Sequence, residues 1–428
     1  MRRQLTFALA LLLGLAAVRA AGAQDVALPG ASIAPAAPAP EQAAPLTLRD
    51  AVRIARERRP LIQAATGHVR AIRGEARQDG AFPNPTLGWQ REGIGDTLDE
   101  DRFLTAELPI DLSGRRLAVR AAGNAAVRGA RADSLALIRQ VEYDAAAAYI
   151  HAALALELLA VEAARREAIE GIAAFDAIRL AEGAVAEVAA MRTRLEADRA
   201  RLAEAEARAE ASRALAELAH ALALPVDSVR RLEPVPFPAL APPSLEAMLE
   251  RAITDRPELQ AARAEAEAAR HRRSAARRGL VPEFALVGGV KETGGERGAI
   301  FGVSVPVPLF DRNGGARERA AGELLIADAL VRDAESRVRA EVTAAVLAYE
   351  ELLTALPADR KALGSDGEEV ARIMEAAYRE GGASLVEVLE ARHAAADARA
   401  SELRWAAQLQ LALLDLNRAT GAPIVEDR

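Results

Sequence analysis

Apolar residues at helical spacing fill most of the chain, and short alternating segments interrupt them in two places. The pattern predicts opening helices over residues 47–79 and 244–278, each preceded or opened by a Thr or Ser suited to cap a helix. A proline-free stretch over residues 114–181 follows the first, and as a helix it would extend ~100 Å. Residues 185–224 then predict a return helix.

Four segments show the period-two alternation of strands. They are residues 86–91, 102–112, 283–292 and 299–310. In the last of them, Phe301, Val303, Val305 and Val307 alternate with small or polar residues through most of its length. The Gly-rich residues 293–298 lie between two strands and lack the Gly-Lys-Ser/Thr ending of a phosphate loop, so they predict a hairpin turn.

The two halves are related by an internal repeat. Prolines, a tyrosine and the Glu-Gly pair of the first half recur in the second at offsets of 197 to 200 residues. The corresponding pairs include Pro60 and Pro257, Pro109 and Pro306, Tyr149 and Tyr349, Gly183 and Gly381, and Pro225 and Pro423. Chance similarity between alanine-rich helices would not keep prolines and glycines in register, so each half is predicted to be helix, strand pair, long helix and return helix.

The return helix of the first half carries a heptad series of apolar and small residues. Its positions are Leu195, Leu202, Ala209 and Ala216, with Ala205, Ser212 and Ala219 between them. Small residues at such positions let helices approach closely, so we interpret the series as the seam of an alanine-rich coil.

Composition narrows the function classes. The 428 residues are 51% hydrophobic but only 3% aromatic, with net charge −7 and no cysteine. A nucleic-acid partner is disfavoured because the chain is acidic and lacks aromatic platforms. The absence of cysteine excludes disulfides, thiolate metal sites, a cysteine nucleophile and a lipidated N-terminus.

The N-terminus predicts export from the cytoplasm. Arg2 and Arg3 precede the apolar residues 5–18 and the small residues 21–23, which is the pattern of a signal peptide over residues 1–23. A retained anchor is the alternative, but a span needs ~20 apolar residues. The remaining predicted segments are an Ala/Pro-rich segment 24–45, a first repeat 46–224, a Pro-rich linker 225–243, a second repeat 244–423 and a tail 424–428.

The number of strands, four in each chain, limits the ways in which they could span a membrane. A membrane admits strands only in closed barrels, and the smallest have about eight strands. Two chains would give eight strands and an interior filled by side chains, whereas three would give twelve and room for water.

Several motifs resemble the TolC family of outer membrane efflux proteins. They are FPNPTLGW from Phe82, LPIDLSGRR from Leu108, VSVPVPLFDRNGGAR from Val303, EGGASLVEVLEAR from Glu380 and LNRATG from Leu416. The PLFDRNGG form is most similar to the heavy-metal branch typified by CzcC. The resemblance implies a homotrimer in which a 12-stranded outer membrane barrel continues into a long periplasmic helical barrel. It also implies a passive exit duct for metal cations or small toxic compounds, served by a periplasmic adaptor and a proton-driven inner-membrane transporter, with lipid as a further partner.

The resemblance assigns roles to particular residues. The adaptor-docking tips correspond to Glu182, Gly183, Ala184, Glu380, Gly381 and Gly382. The acids of the periplasmic aperture correspond to Glu387 and Glu390, whose threefold rings would favour cations and raise one another's pKa. Ala383 stands where some relatives have a latching arginine, so any latch here would use other pairs. Without the resemblance, both acids are ordinary solvated helix residues.

Nothing in the sequence indicates catalysis, a cofactor or a resident metal. The histidines are isolated from one another, at positions 68, 151, 220, 271 and 393, and no HExxH or GxSxG motif occurs. The alternative to a duct is a soluble periplasmic coiled-coil adaptor or scaffold. Adaptors have one helical hairpin flanked by β-rich modules, whereas this chain has two repeats with strands between helices.

Overall fold

The computed structural model describes residues 45–93, 100–234, 244–355 and 360–423. The elements run α1 (Leu48–Arg58), α2 (Pro60–Asp79), β1 (Thr86–Glu92), β2 (Asp101–Ile110), α3 (Arg115–Ala181), α4 (Glu187–Leu222), α5 (Leu245–Asp255), α6 (Pro257–Arg278), β3 (Phe284–Thr293), β4 (Glu296–Ser304), α7 (Gly314–Thr354), α8 (Arg360–Arg379) and α9 (Leu385–Thr420). The predicted class, mainly helical with a small β part, is confirmed. The predicted signal peptide, residues 24–44, linker residues 235–243 and the tail lie outside the described residues.

Each predicted opening helix is in fact two helices. The first begins after Thr47, whose hydroxyl accepts a hydrogen bond from the Asp50 backbone N–H at 3.0 Å, and the second begins after Ser244, which caps α5 in the same way. Arg59 and Arg256 interrupt them with extended ψ angles of 124° and 121°. The prediction of one continuous helix was wrong because proline follows both residues and disfavours helical geometry before it.

Two equivalent cores follow the repeat. Tyr149 of α3 and Tyr349 of α7 are fully buried at corresponding positions, each among alanines and aliphatic residues of the neighbouring helices. The Tyr149 hydroxyl shares its hydrogen bond between the carbonyl oxygens of Leu46 and Glu233, at 2.6 and 2.7 Å. Leu46 also forms a parallel bridge with Leu232. The first part of the predicted linker is therefore fixed to the core.

One antiparallel sheet, in the order β1-β2-β3-β4, collects the strands of both repeats. The β3–β4 hairpin closes with Gly294 and Gly295 at φ +58° and +93° between the paired residues Thr293 and Glu296. Two central residues with positive φ are the hairpin geometry that favours glycine, so the predicted turn is confirmed. The last strand ends at Ser304 and not at the predicted residue 310, because Pro306 and Pro308 cannot donate to a ladder.

The long helix of the first half is continuous, but its counterpart is not. α3 has 67 residues and extends ~100 Å. In the second half, α7 and α8 take the place of the single predicted helix, and the sequence has Pro357 between them. Among the described residues, α3 also has the one 18-residue window apolar enough to cross a membrane, and 39% of that window is buried inside the protein. We attribute its apolarity to alanine packing against α2, α4 and α6.

The return helix α4 packs through a different row from the predicted one. The residues that it buries include Ala197, Ala200, Ala211, Ala214 and Leu218. Leu195 and Leu202 of the predicted seam are 52% and 67% exposed. Close packing through alanine is therefore present, but of the predicted heptad series only Ala219 is buried, and its other positions, from Leu195 to Ala216, are exposed.

Candidate functional site

The sheet exposes its apolar face. In β2, alternate residues from Arg102 to Leu108 are exposed, and the residues between them are partly buried. The register places Leu104 beside Trp89 and Val290, and the exposed fractions of Trp89 and Phe301 are 68% and 88%. This apolar face consists of Leu87, Trp89, Leu104, Ala106, Leu108, Ile110, Phe284, Leu286, Val290, Phe301 and Val303. An apolar surface of this kind marks contact with lipid or with another protein.

The opposite face of the sheet is more polar. It carries Gln90, Thr105, Glu107, Lys291 and Ser304, together with glycines and the apolar Phe103, Val287 and Ile300. Gly289 lies on this face, where a Cβ would come within 2.4 Å of the Leu104 carbonyl oxygen. Only glycine therefore fits at that point, and the two central strands can pair without distortion.

Charged residues cross the sheet at its hairpin end and largely neutralise one another. Arg102 pairs with Glu100 at 3.2 Å, Lys291 with Asp101 at 2.8 Å, and Arg297 pairs with a neighbouring strand acid. The apolar face therefore ends abruptly in a row of ion pairs.

Two equivalent turns form the reversals between long helices. Gly183 and Gly381 adopt φ of +75° and +81°, a left-handed conformation that glycine reaches without steric cost. Both turns have the Schellman hydrogen-bond pattern. The bonds run from Ala184 N–H to Arg179 O (2.8 Å), Gly183 to Leu180 (3.0 Å), Gly382 to Ala377 (2.7 Å) and Gly381 to Tyr378 (3.1 Å).

All six predicted docking residues lie in these two turns. Glu182, Gly183, Ala184, Glu380, Gly381 and Gly382 are all exposed. The length of α3 separates the first turn from the sheet by ~100 Å. The structure thus brings the six residues to helix reversals, and their role in docking stays a prediction.

The predicted aperture acids differ in their surroundings. Glu387 accepts a hydrogen bond from the Ser384 backbone N–H at 2.7 Å, while the Ser384 hydroxyl accepts one from the Glu387 N–H at 3.3 Å. This capping box lowers the pKa of the Glu387 carboxyl, first through the Ser384 backbone N–H. The shift is opposite to the one expected from converging carboxylates. Glu390, one turn later, is exposed and forms no ion pair within the described part of the chain.

A buried contact near the tips escaped the sequence analysis. The hydroxyl of Tyr378 in α8 donates to the carboxylate of Asp176 in α3 at 2.6 Å, and Asp176 is fully buried. Burial, and then the bond with Asp176, raise the pKa of Tyr378 to about 12. The second oxygen of Asp176 has no partner among the described residues. The pair joins the two repeats just before their turns.

The signal for this pair is that it breaks the repeat. Met374 and Leu180 occupy the equivalent positions in the opposite halves. Phe175 packs edge-on against Tyr378 with ring centroids 6.2 Å apart, and the Arg179 guanidinium lies 5.5 Å from the Phe175 ring. Polar residues that replace apolar counterparts in a repeat can therefore indicate contacts between the repeats.

The histidines do not gather. They lie on five different helices, α2, α3, α4, α6 and α9. Among the described residues, no group of three or more His, Asp or Glu side chains could hold a metal ion.

The second repeat matches a known family. The model of the outer membrane efflux protein family matches residues 248–422. This segment is therefore similar to outer membrane efflux proteins. It contains β3, β4, the second turn and Glu387 with Glu390. The match confirms the TolC-family resemblance carried by the motifs, and it agrees with the predicted localisation in the outer membrane.

Solved outer membrane proteins share the fold over nearly the whole chain. The CmeC outer membrane channel of Campylobacter jejuni has a TM-score of 0.75 and 16% identity, covering 89% of this chain and 87% of its own. VceC of Vibrio cholerae has a TM-score of 0.72 and 18% identity, covering 88% of this chain and 97% of its own. The open MtrE channel of Neisseria gonorrhoeae has a TM-score of 0.71 and 19% identity, covering 88% of this chain and 89% of its own. No curated protein matches the chain. CmeC and MtrE are outer membrane channels, and VceC is an outer membrane protein.

Proposed function

We propose that three copies of this chain form an outer membrane exit duct of a tripartite efflux pump. Each copy supplies four strands to a 12-stranded barrel and its long helices to a periplasmic helical barrel. A periplasmic adaptor and a proton-driven inner-membrane transporter deliver metal cations or small toxic compounds to it. The duct itself is a passive conduit.

The observation that carries this proposal is the apolar face of the sheet. Trp89, Phe301 and Val303 are 63% to 88% exposed in the single chain, and water would not stabilise such a face. Lipid would cover it without cost. The polar face would then line a water-filled lumen.

The exposed heptad row of α4 supports assembly of several copies. Val188 and Met191 extend the row formed by Leu195 and Leu202, and their exposed fractions are 76% and 60%. A heptad row without a partner in its own chain suits a helix of a neighbouring protomer. We assign this row to the contact between protomers.

The tips are the proposed adaptor contacts. Their exposed backbone turns project beyond the helices at the end opposite to the sheet, where a periplasmic partner would reach them first. Acids just after the second turn would bias the aperture toward cations. The substrate class rests on the resemblance and on these acids.

A soluble periplasmic adaptor or scaffold is the alternative. Fractionation distinguishes the two, because a duct is recovered in the outer membrane, and a soluble periplasmic monomer would exclude the duct.

Two adjacent residues on opposite faces of β4 provide a sharper test. Val303→Arg places a charge on the apolar face and is expected to cost ~2–4 kcal/mol per site near the bilayer midplane. Ser304→Arg places the same charge on the polar face and should assemble normally. Heat-stable trimers on gels measure the outcome, and equal assembly of both variants would contradict a lipid-facing sheet.

A further inference from the structure

The hydrogen-bonded part of the apolar face is too short to match the height of the apolar band of an outer membrane barrel. On β2 it runs from Leu104 to Ile110, which spans ~20 Å along the strand. A strand tilt of about 40° reduces this to ~16 Å, whereas the apolar band of an outer membrane barrel is ~25 Å tall. Ion pairs at the hairpin end prevent extension in that direction, so additional apolar height must come from beyond the other end.

Residues 305–310 supply that height. They follow β4 directly, all six are exposed, and Phe310 is fully exposed. Val305 and Val307 continue the alternation of Phe301 and Val303. The distance from residue 299 to residue 309 is at most ~33 Å, the length of a fully extended chain, or ~25 Å after the same tilt, and a turn at residues 307–309 shortens it.

The backbone of this segment has few N–H groups that lipid would leave unpaired. Pro306 and Pro308 have no N–H group, and the Leu309 N–H donates to the Val307 carbonyl oxygen at 2.9 Å. The two prolines remove two of the six backbone donors, whereas the carbonyl groups of the segment still need partners, either in the hydrated headgroup region or on a paired strand of the next protomer. We call Val305, Val307, Leu309 and Phe310 the collar.

Arginines adjoin the collar on its helical side. Arg312 lies two residues before α7 and Arg317 lies in its first turn. Both are exposed, and neither forms an ion pair with a described residue. The nearby Asp311 carboxylate instead accepts a hydrogen bond from the Asn313 backbone N–H at 2.8 Å. At the hairpin end, by contrast, the charges are paired with one another.

The first repeat has a related arrangement. Leu112 and Phe82 are 70% and 74% exposed, and the Arg116 guanidinium lies 4.2 Å from the Phe82 ring centroid. The buried Nη1 of Arg116 has no hydrogen-bond partner among the described residues.

We propose that the collar lies in the periplasmic leaflet of the outer membrane and that Arg312 and Arg317 bind the phosphates of anionic phospholipid headgroups there. The inference rests on the proposed function and specifies the headgroup class of its lipid partner. A phospholipid offers acyl chains to the collar and a phosphate to the arginines, whereas a soluble phosphate accounts for the arginines alone. The collar is also continuous with the apolar face already assigned to lipid.

Quenching by lipids brominated in their acyl chains tests the collar. The full chain is reconstituted into vesicles of phosphatidylcholine and phosphatidylglycerol at a ratio of three to one. In the wild type, Trp89 should be quenched and Trp405 should not. Phe310→Trp should add a quenched tryptophan, whereas Leu347→Trp, at an exposed position of α7 ~50 Å further along that helix, should add an unquenched one.

The outcomes separate the two proposals. If Trp89 is not quenched, the sheet does not lie in the membrane, and both the proposed duct and the collar are overturned. If Trp89 is quenched and the new tryptophan of Phe310→Trp is not, the duct stands and the collar is overturned.

Native mass spectrometry of the detergent-solubilised protein tests the arginines. The wild type should retain phosphatidylglycerol over phosphatidylcholine by roughly five-fold or more, from the usual gain per basic residue near an anionic surface. Arg312→Gln with Arg317→Gln should bring the ratio close to one. Arg332→Gln with Arg404→Gln, at exposed arginines of α7 and α9, removes the same charge and should leave the ratio unchanged.

Three results would overturn the lipid site. They are equal retention of both lipids by the wild type, an undiminished preference in the Arg312 and Arg317 variant, and displacement of the lipid by millimolar inorganic phosphate. The first and third need only wild-type protein, so they decide the matter even if a variant fails to fold.

Discussion

Single polar residues set the geometry near the tips. Asp176 and Tyr378 place one strong hydrogen bond between the repeats in largely apolar surroundings, apart from the Arg179 guanidinium 5.9 Å from the Tyr378 ring centroid. A buried carboxylate that loses its donor keeps its full desolvation cost, so such a pair stabilises one arrangement of the two hairpins. The contact therefore favours the tip arrangement seen in the single chain.

Removal of the Tyr378 hydroxyl should loosen the second tip. Tyr378→Phe leaves Asp176 buried without its donor, and we expect a loss of ~1–3 kcal/mol. Hydrogen exchange of residues 370–390 should become faster. Tyr143→Phe is the matched control, because its hydroxyl donates to Asp415 at 2.8 Å in another part of the helices. Unchanged exchange at the tip would show that the pair does not hold the hairpins.

The acids beyond the second tip should control ion passage. Replacement of Glu387 and Glu390 by alanine should raise single-channel conductance in planar bilayers and weaken block by divalent cations from the periplasmic side. Glu187→Ala is the control, since Glu187 is the counterpart of Glu387 in the first repeat. If the double variant behaves as the wild type, the acids are solvated helix residues.

The pH dependence of stability at the start of α9 provides a second test of Glu387. Its pKa is lowered by the capping box, so the contribution of the carboxylate to stability is present above its unfolded pKa and is lost as the pH falls through the folded value. The start of α9 should therefore fray first in acid.

At the scale of elements, local chemistry was predictable and the choice of partner was not. Thr47, Ser244 and the glycines of the turns set helix ends that the sequence indicates directly. The prediction extended the last strand to residue 310, which is too far. The alternation of apolar residues continues through Pro306 and Pro308, but the hydrogen bonding of the strand does not. The heptad row of α4 is a real surface, but periodicity cannot tell whether its partner lies in the same chain.

The α4 row should hold protomers together. Leu202→Gln should weaken the trimer while leaving the helical content of the monomer unchanged, because Leu202 is 67% exposed in the single chain. Leu202→Met should retain assembly, since it keeps an apolar side chain of similar volume. Light scattering coupled to size exclusion measures the oligomer. A glutamine variant that remains fully trimeric would remove this row from the interface.

At the scale of the molecule, the duplication supplies each chain with two cores and one sheet. Strands from both repeats meet only through the pairing of β2 with β3, so the sheet keeps two outer strands, β1 and β4. Neither outer strand has a second partner among the described residues. Unpaired edges are not tolerated in lipid, and four strands are too few to close on themselves.

Closure therefore requires β1 of one protomer to pair with β4 of the next. The chain has no cysteine, so engineered pairs report this contact without background. Gln90→Cys combined with Ile300→Cys, Gly302→Cys or Ser304→Cys places both thiols on the polar face of the two edges. In one of these registers, oxidation should give covalent dimers and trimers on non-reducing gels. Glu107→Cys with Val287→Cys is the control, because these residues pair within one sheet and should cross-link without changing the apparent mass. If no register of the panel yields more than monomer in outer membranes, the edges do not meet and the 12-stranded barrel is wrong.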